Sequence, residues 1–214
     1  MKVAVLCSSS AHPIYPLLQE WVSTRSRSHE VCLVMSAGDL SGGDIAFLIS
    51  CNEIVTAAVR SLYRHCLIVH ASALPQGRGW SPHIWQIIEG RHTIPVTLLE
   101  AADKVDTGAI WAQRSFTLEG HELYDEINAK LFAETLELMD FAVANAATVQ
   151  PRPQAGAQPT YYPRRTPQDS RLDANRSLAE QFDLLRVADP ERFPCFIELR
   201  GRRYRVILTK EDSP

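Results

Sequence analysis

Short apolar runs rich in β-branched residues, separated by helical or turn segments, fill the first 110 residues and dictate the fold class. Residues 2–7 (KVAVLC), 31–35, 45–50 and the run ending Leu67-Ile68-Val69 read as buried strands. Residues 94–99 (IPVTLL) read as another. Residues 16–23, 56–63 and 81–89 have helical spacing, while Asp39 begins a polar loop that closes at Gly43. Such alternation specifies an α/β fold: a Rossmann-like open, mostly parallel sheet with flanking helices. Ligands are then expected outside the carboxyl ends of the strands.

Two ionisable residues stand out against this frame, His70 and Asp106. His70 ends one apolar run, and Asp106 follows the run at 94–99 through a short loop. A Pro/Gly turn cluster at 74–79 and the 81–89 helix lie between them. Read as one parallel βαβ unit, this arrangement delivers both side chains to the same sheet edge. A lone His after an apolar run is usually structural, and a lone Asp-Thr-Gly is usually a turn. Their shared edge turns them into a candidate pair for proton transfer.

The order His70, Ser72, Leu74-Pro75, Arg78-Gly79, Pro82, then Val96-Thr97-Leu98, then Val105-Asp106-Thr107-Gly108 and Ile110, spans over forty residues. It resembles the signature of the folate-dependent formyltransferases, and Trp85 falls where that family often carries Trp. The resemblance implies N10-formyl-tetrahydrofolate as formyl donor, with no metal. It also implies His70 for oxyanion stabilisation and proton transfer, and Asp106 as the group that orients it and acts as base. A folate face is implied at Leu48, Ile49, Cys51, Asn52 and Glu53, where the family wraps a pterin ring in a loop, and at Asp103 and Val105. The family pattern is Asn-x-His, but Ile68 stands two residues before His70 and cannot donate a hydrogen bond. Asn52 is a candidate replacement donor. Loss of such a donor commonly costs about a hundredfold or more in rate. A formyl-folate hydrolase or a non-catalytic folate binder is therefore an alternative.

Residues 121–145 carry Leu123, Ile127, Leu131, Leu138 and Phe141 at helical spacing and close a catalytic domain at 1–150. Residues 146–158, with two prolines and small residues, read as a surface linker opening a short extension at 151–214. The extension carries a helical run at 177–187 and a hairpin, 195–199 with 204–208, turned through Arg200-Gly201-Arg202. Its pattern, Tyr162-Pro163, Arg165-Thr166, Leu172-Asp173, Leu185-Arg186-Val187 and Phe193-Pro194, resembles the start of the region shared by tRNA and sugar formyltransferases. It is too short for the β-barrel that the tRNA enzyme carries.

The acceptor follows from composition and tail. Lys and Arg total 22 against 25 Asp and Glu, a net charge of −3 that offers no global field for a nucleic acid. The resemblance of residues 77–83 is to sugar N-formyltransferases acting on a 4-amino-4,6-dideoxy sugar linked to UDP or dTDP, in surface polysaccharide or glycan biosynthesis. Ser72, Arg78, Gly79, Trp80, Tyr161, Tyr162, Arg164 and Arg165 are the expected substrate-binding residues, aromatic faces stacking the base and guanidinium forks holding the diphosphate. Phosphoribosylglycinamide- and methionyl-tRNA-type acceptors are the alternatives. Five scattered cysteines with no CxxC pattern suit a reducing compartment. The N-terminus lacks a signal-peptide h-region and no run reaches membrane-spanning length, so a cytoplasmic protein without membrane partners is expected. An apolar tail hairpin leaves room for a homodimer.

Overall fold

The computed structural model describes residues 1–211. The first half of the chain alternates β1 (Lys2–Leu6), α1 (Tyr15–Arg25), β2 (Glu30–Val34), β3 (Gly43–Leu48), α2 (Ala57–Arg60) and β4 (Tyr63–His70). These strands pair in parallel, as the alternation predicts. The chain continues through β5 (Arg78–Gly79), α3 (Pro82–Ile88), β6 (Thr93–Glu100), β7 (Ile110–Thr117) and α4 (Tyr124–Asn145). The six long strands form one sheet in the order β2-β1-β3-β4-β6-β7.

β6 corrects the expected βαβ unit, because it runs antiparallel to β4, with His70 opposite Thr97 and Leu67 opposite Glu100. α3 is the only long element of the connection, and its seven residues span about 10 Å against about 26 Å for β4, while residues 77–79 are held beside His70 and against β8 rather than carrying the chain back. The chain therefore re-enters the sheet at the end where β4 leaves it. β7, which pairs antiparallel with β6, is not expected from the sequence pattern. A register shift at Leu98/Leu99 and the exposed run Gln113-Arg114-Ser115 break its alternation.

The larger core lies on one sheet face. There Val3, Val5, Phe47 and Leu67 meet Leu18 and Trp21 of α1, Ile84 and Ile87 of α3, and Ile127, Leu131 and Leu138 of α4. The other face is thinly covered. Leu6, Leu48, Cys66 and half-buried Ile68 pack there in a smaller cluster with Leu40, Val55 and Val59. His70, two residues beyond Ile68, projects on this thin side.

The remaining elements are β8 (Tyr161–Tyr162), β9 (Arg171–Leu172), α5 (Phe182–Arg186), β10 (Cys195–Leu199) and β11 (Arg202–Val206). β9, β10 and β11 form a small sheet. Its hairpin turns at Arg200-Gly201, with φ at 50° and 72°, and its second strand begins two residues earlier than expected. β8 pairs in parallel with β5, Arg78 opposite Tyr161 and Gly79 opposite Tyr162, so the tail is laid directly along the His70–Asp106 segment. Among the described residues no helix is long and apolar enough to cross a membrane.

Candidate active site

His70 is the last residue of β4 and is 7% exposed; Asp106 sits in the β6–β7 loop and is 4% exposed. Their Nδ1 and Oδ1 atoms lie 3.5 Å apart. Nε2 of His70 lies 2.9 Å from the Gly77 carbonyl oxygen, which can only accept, so Nε2 carries a proton and donates it there. The Nδ1 edge therefore faces the carboxylate. The second carboxylate oxygen of Asp106 accepts the Gly79 N–H at 2.8 Å.

Because β6 runs away from His70, the loop 101–109 has to turn back to return Asp106 to it. Asp106 adopts a left-handed conformation, φ 57°, which Asp tolerates better than most residues. Gly108 is required for another reason: a Cβ there would lie 1.8 Å from the Glu100 carbonyl oxygen. Gly79 has φ 100°, and a Cβ on it would lie 2.3 Å from the Tyr162 carbonyl oxygen. The motif glycines are thus the points where loop, turn and tail approach backbone to backbone.

Residues that sequence reasoning misses complete this framework. Gln154, in the stretch that reads as a linker, donates to the carbonyls of Asp106 (2.8 Å) and Gly108 (2.9 Å) and accepts from Arg78 (2.6 Å). Thr160 accepts the Gly77 N–H at 2.8 Å through its hydroxyl, and its carbonyl accepts the Arg78 N–H at 2.9 Å. The Thr97 hydroxyl donates to the Ser72 carbonyl at 2.6 Å, locking the chain just past His70. Only Thr97 carries a signal, as part of the Val-Thr-Leu motif.

The expected folate-side residues divide into two groups. Leu48 and Ile49 are buried, and Cys51 is half-buried with its thiol near the Glu53 carbonyl. Glu53 is spent on the neighbouring turn, accepting the Ala37 N–H at 3.0 Å. Asp103 pairs with Arg60, which also donates to the Val55 carbonyl at 2.7 Å. Arg60 thereby ties the loop at 49–56 to the loop at 101–109. Those loops leave Ile54 (87% exposed) and Val105 (69%) bare, beside the thinly covered sheet face. Asn52 is exposed, with its backbone N–H on the Ser8 hydroxyl and no side-chain hydrogen bond among the described residues. Ile68 packs in the apolar cluster with Leu48 and Cys51, so its position offers no donor.

Of the expected substrate-binding residues, Tyr161 and Trp80 are exposed, and Arg164 lies over the Trp80 ring at 4.9 Å. Arg78 reaches the Tyr161 hydroxyl at 3.2 Å. Tyr162 and Arg165 are engaged elsewhere. The Tyr162 ring stacks on Trp85, and burial together with the Glu89 carboxylate that accepts its proton pushes its hydroxyl up to about 12. Arg165 donates to the Asp169 carbonyl and the Ser170 hydroxyl, both at 3.2 Å, and burial lowers its pKa. The Ser72 hydroxyl is buried and has no partner among the described residues. Behind the pair, burial and the positive charges of His70, His12 and Arg165 push His83 down to about 3. Among the described residues no cluster of three or more His, Cys, Asp or Glu could hold a metal.

A mixed α/β sheet that ends a parallel strand on a buried His, with a loop bringing a buried Asp to it, is the arrangement to which the comparisons with known proteins apply. Residues 34–140 match the family described as formyl transferase, and this chain belongs to that family. A methionyl-tRNA formyltransferase from Synechococcus sp. strain JA-3-3Ab is 30% identical over 182 residues, covering 81% of this chain and 54% of the relative. The chain thus spans about half the length of the curated relatives it matches. Among solved structures, a methionyl-tRNA formyltransferase from Clostridium thermocellum superposes with a TM-score of 0.83 at 18% identity, covering 99% of this chain and 94% of that one. A sugar N-formyltransferase from Shewanella gives 0.76 at 16% identity, covering 100% and 99%. At these identities the superpositions establish the fold alone.

Proposed function

We propose that the protein transfers a formyl group from N10-formyl-tetrahydrofolate to a primary amine, with His70 and Asp106 as the reacting pair. The observation that carries this reading is the buried 3.5 Å approach of Nδ1 and Oδ1, held in place by backbone groups at both residues. The amine attacks the formyl carbon, forming the C–N bond and placing negative charge on the formyl oxygen. Its proton passes to Asp106. The oxyanion collapses, the bond to N10 of the folate breaks, and the pair returns the proton to that nitrogen. The ring face of the pterin suits the thin sheet face between the bare side chains of Ile54 and Val105, and its polar edge suits backbone groups of the loop at 49–56.

For the acceptor, the reading is a nucleotide-linked amino sugar, with the base stacked on Trp80 or Tyr161 and the diphosphate forked by Arg78 and Arg164. The exposure of Trp80, Tyr161 and Arg164, with half-buried Arg78 beside Tyr161, and the Shewanella likeness support it. A methionyl-tRNA acceptor is the second reading, favoured by the curated relatives. Tail length does not separate the two, since the Clostridium thermocellum chain of that name is matched over 94% of its length.

The test is an end-point mass assay with formyl-tetrahydrofolate, a panel of UDP- and dTDP-linked 4-amino sugars, and aminoacylated initiator tRNA. A formyl-sized mass gain on one acceptor, cut at least about a hundredfold by His70→Ala or Asp106→Asn, is expected. Formate release with no acceptor modified would establish a hydrolase instead.

A further inference from the structure

We propose that Gln154 is a positioning residue for the His70–Asp106 pair, holding the Asp106 turn closed and tying it to the acceptor-side Arg78. The proposal rests on the reading of that pair as the reacting groups. Three observations carry it. First, the carboxamide nitrogen spends both its protons inside the Asp106 loop, on the carbonyls of Asp106 at 2.8 Å and Gly108 at 2.9 Å. The first carbonyl belongs to the left-handed residue itself and the second lies two residues on, so both flank the point at which the loop would most readily relax, since αL is uncommon for residues other than Gly. Second, the carboxamide oxygen accepts from Arg78 at 2.6 Å, and Arg78 is the neighbour of Gly79, whose N–H is held by Asp106 Oδ2 at 2.8 Å. The ring of contacts closes: Gln154 fixes the backbone of Asp106, Asp106 fixes the backbone of Gly79, and Arg78 returns to Gln154. Third, Gln154 lies between two places where the tail is stitched down, the bridge from Ile110 to Arg152 and the pairing of β5 with β8. It is therefore held in place independently of the loop it supports.

A carboxamide is the side chain that performs both tasks, since it donates two protons and accepts at its oxygen. Glutamate keeps the acceptor for Arg78 but loses both donors and sets a negative charge against two carbonyl oxygens. Leucine loses everything and keeps the bulk. The two variants separate holding Asp106 from merely anchoring Arg78.

The experiment measures turnover and KM for donor and acceptor in wild type, Gln154→Leu and Gln154→Glu, together with the Gly79 amide signal and its hydrogen exchange by NMR. Both variants are expected to lower kcat by about tenfold to a hundredfold with donor KM little changed, since small misplacements of a reacting group cost on that scale. The Gly79 amide is expected to lose exchange protection selectively, with the amides of β1 and β3 unaffected. Wild-type behaviour of Gln154→Glu would overturn the proposal, leaving only an anchor for Arg78. An unchanged Gly79 amide in Gln154→Leu would overturn it equally. If the wild-type protein transfers formyl to no acceptor, the functional reading fails, and the Gly79 amide still decides whether Gln154 holds the pair.

Discussion

At the scale of the residue, Ile68 is where this chain departs furthest from the chemistry it is proposed to perform. It sits on the same face of β4 as His70, paired with Leu48 on one side and Leu99 on the other, and it supplies apolar packing where a donor to the formyl oxygen would be useful. Ile68→Asn is expected to raise kcat by about tenfold or more, because one donor aimed at an oxyanion is commonly worth about a hundredfold. It is also expected to lower stability by roughly 1–3 kcal/mol, since the new amide has to be satisfied among apolar neighbours. Steady-state rates and urea midpoints on the same preparation check both signs. Asn52→Ala supplies the complementary measurement: if Asn52 is the substitute donor, turnover falls when it is made in the wild-type chain and falls less when it is combined with Ile68→Asn. The motif glycines make a separate prediction. Gly79→Ala would set a Cβ 2.3 Å from a backbone oxygen of Tyr162, so β8 has to lift from β5. Limited proteolysis should then cut within residues 152–163 at least several-fold faster than in wild type.

At the scale of the element, the loops at 49–56 and 101–109 are tied to each other by the Arg60 side chain. Arg60 joins the Val55 carbonyl to the Asp103 carboxylate from the short helix α2. Arg60→Met keeps the bulk of the stem and removes both links, and donor KM is expected to rise about fivefold to tenfold with kcat little changed. A rise in acceptor KM alone would place the folate elsewhere. The same elements show what is legible in the sequence. The parallel half of the sheet, His70 and Asp106 can be read because their signals are local: apolar runs of strand length, a His at the end of one, an Asp-Thr-Gly turn after another. The antiparallel return of β6 cannot, because strand direction depends on how far α3 carries the chain, and the hydrophobic pattern of a buried strand is the same both ways. Gln154 and Thr160 are invisible for a different reason. They work by meeting backbone groups 46–83 positions distant in sequence, from a Pro- and Ala-rich stretch with no periodicity.

At the scale of the whole molecule, His83 and His12 contribute to how the fold responds to acid. His83 is pushed down to about 3, by burial and then by the positive charges of His70, His12 and Arg165. His12 is pushed down to about 4, by burial and then Arg192, with Asp189 opposing. In the unfolded chain both take up a proton near the ordinary value of 6.5. The unfolded state therefore binds more protons than the folded state below that pH, and stability falls as pH falls. The stabilisation is complete above about pH 6.5 and is lost progressively toward pH 4 and 3. Glu122 adds a second, more acidic window. Burial opposes its charge, but Lys130 and the N–H groups of Glu119 and Gly120 outweigh burial and hold it down to about 2. Its contribution is present above 4.5 and disappears between 4.5 and about 2. Urea midpoints at pH 7.5 and 5.0 are expected to differ by about 0.5–1 M in wild type, given that one pKa unit is about 1.4 kcal/mol. His83→Gln should reduce that difference to the share His12 supplies, while Glu122→Gln should lower the midpoint at both pH values alike, leaving the difference intact, with its cost shrinking only below pH 4.5. Equal midpoints at the two pH values in wild type would mean that His12 and His83 titrate in the folded state much as they do in the unfolded chain, with the space behind His70 open to water.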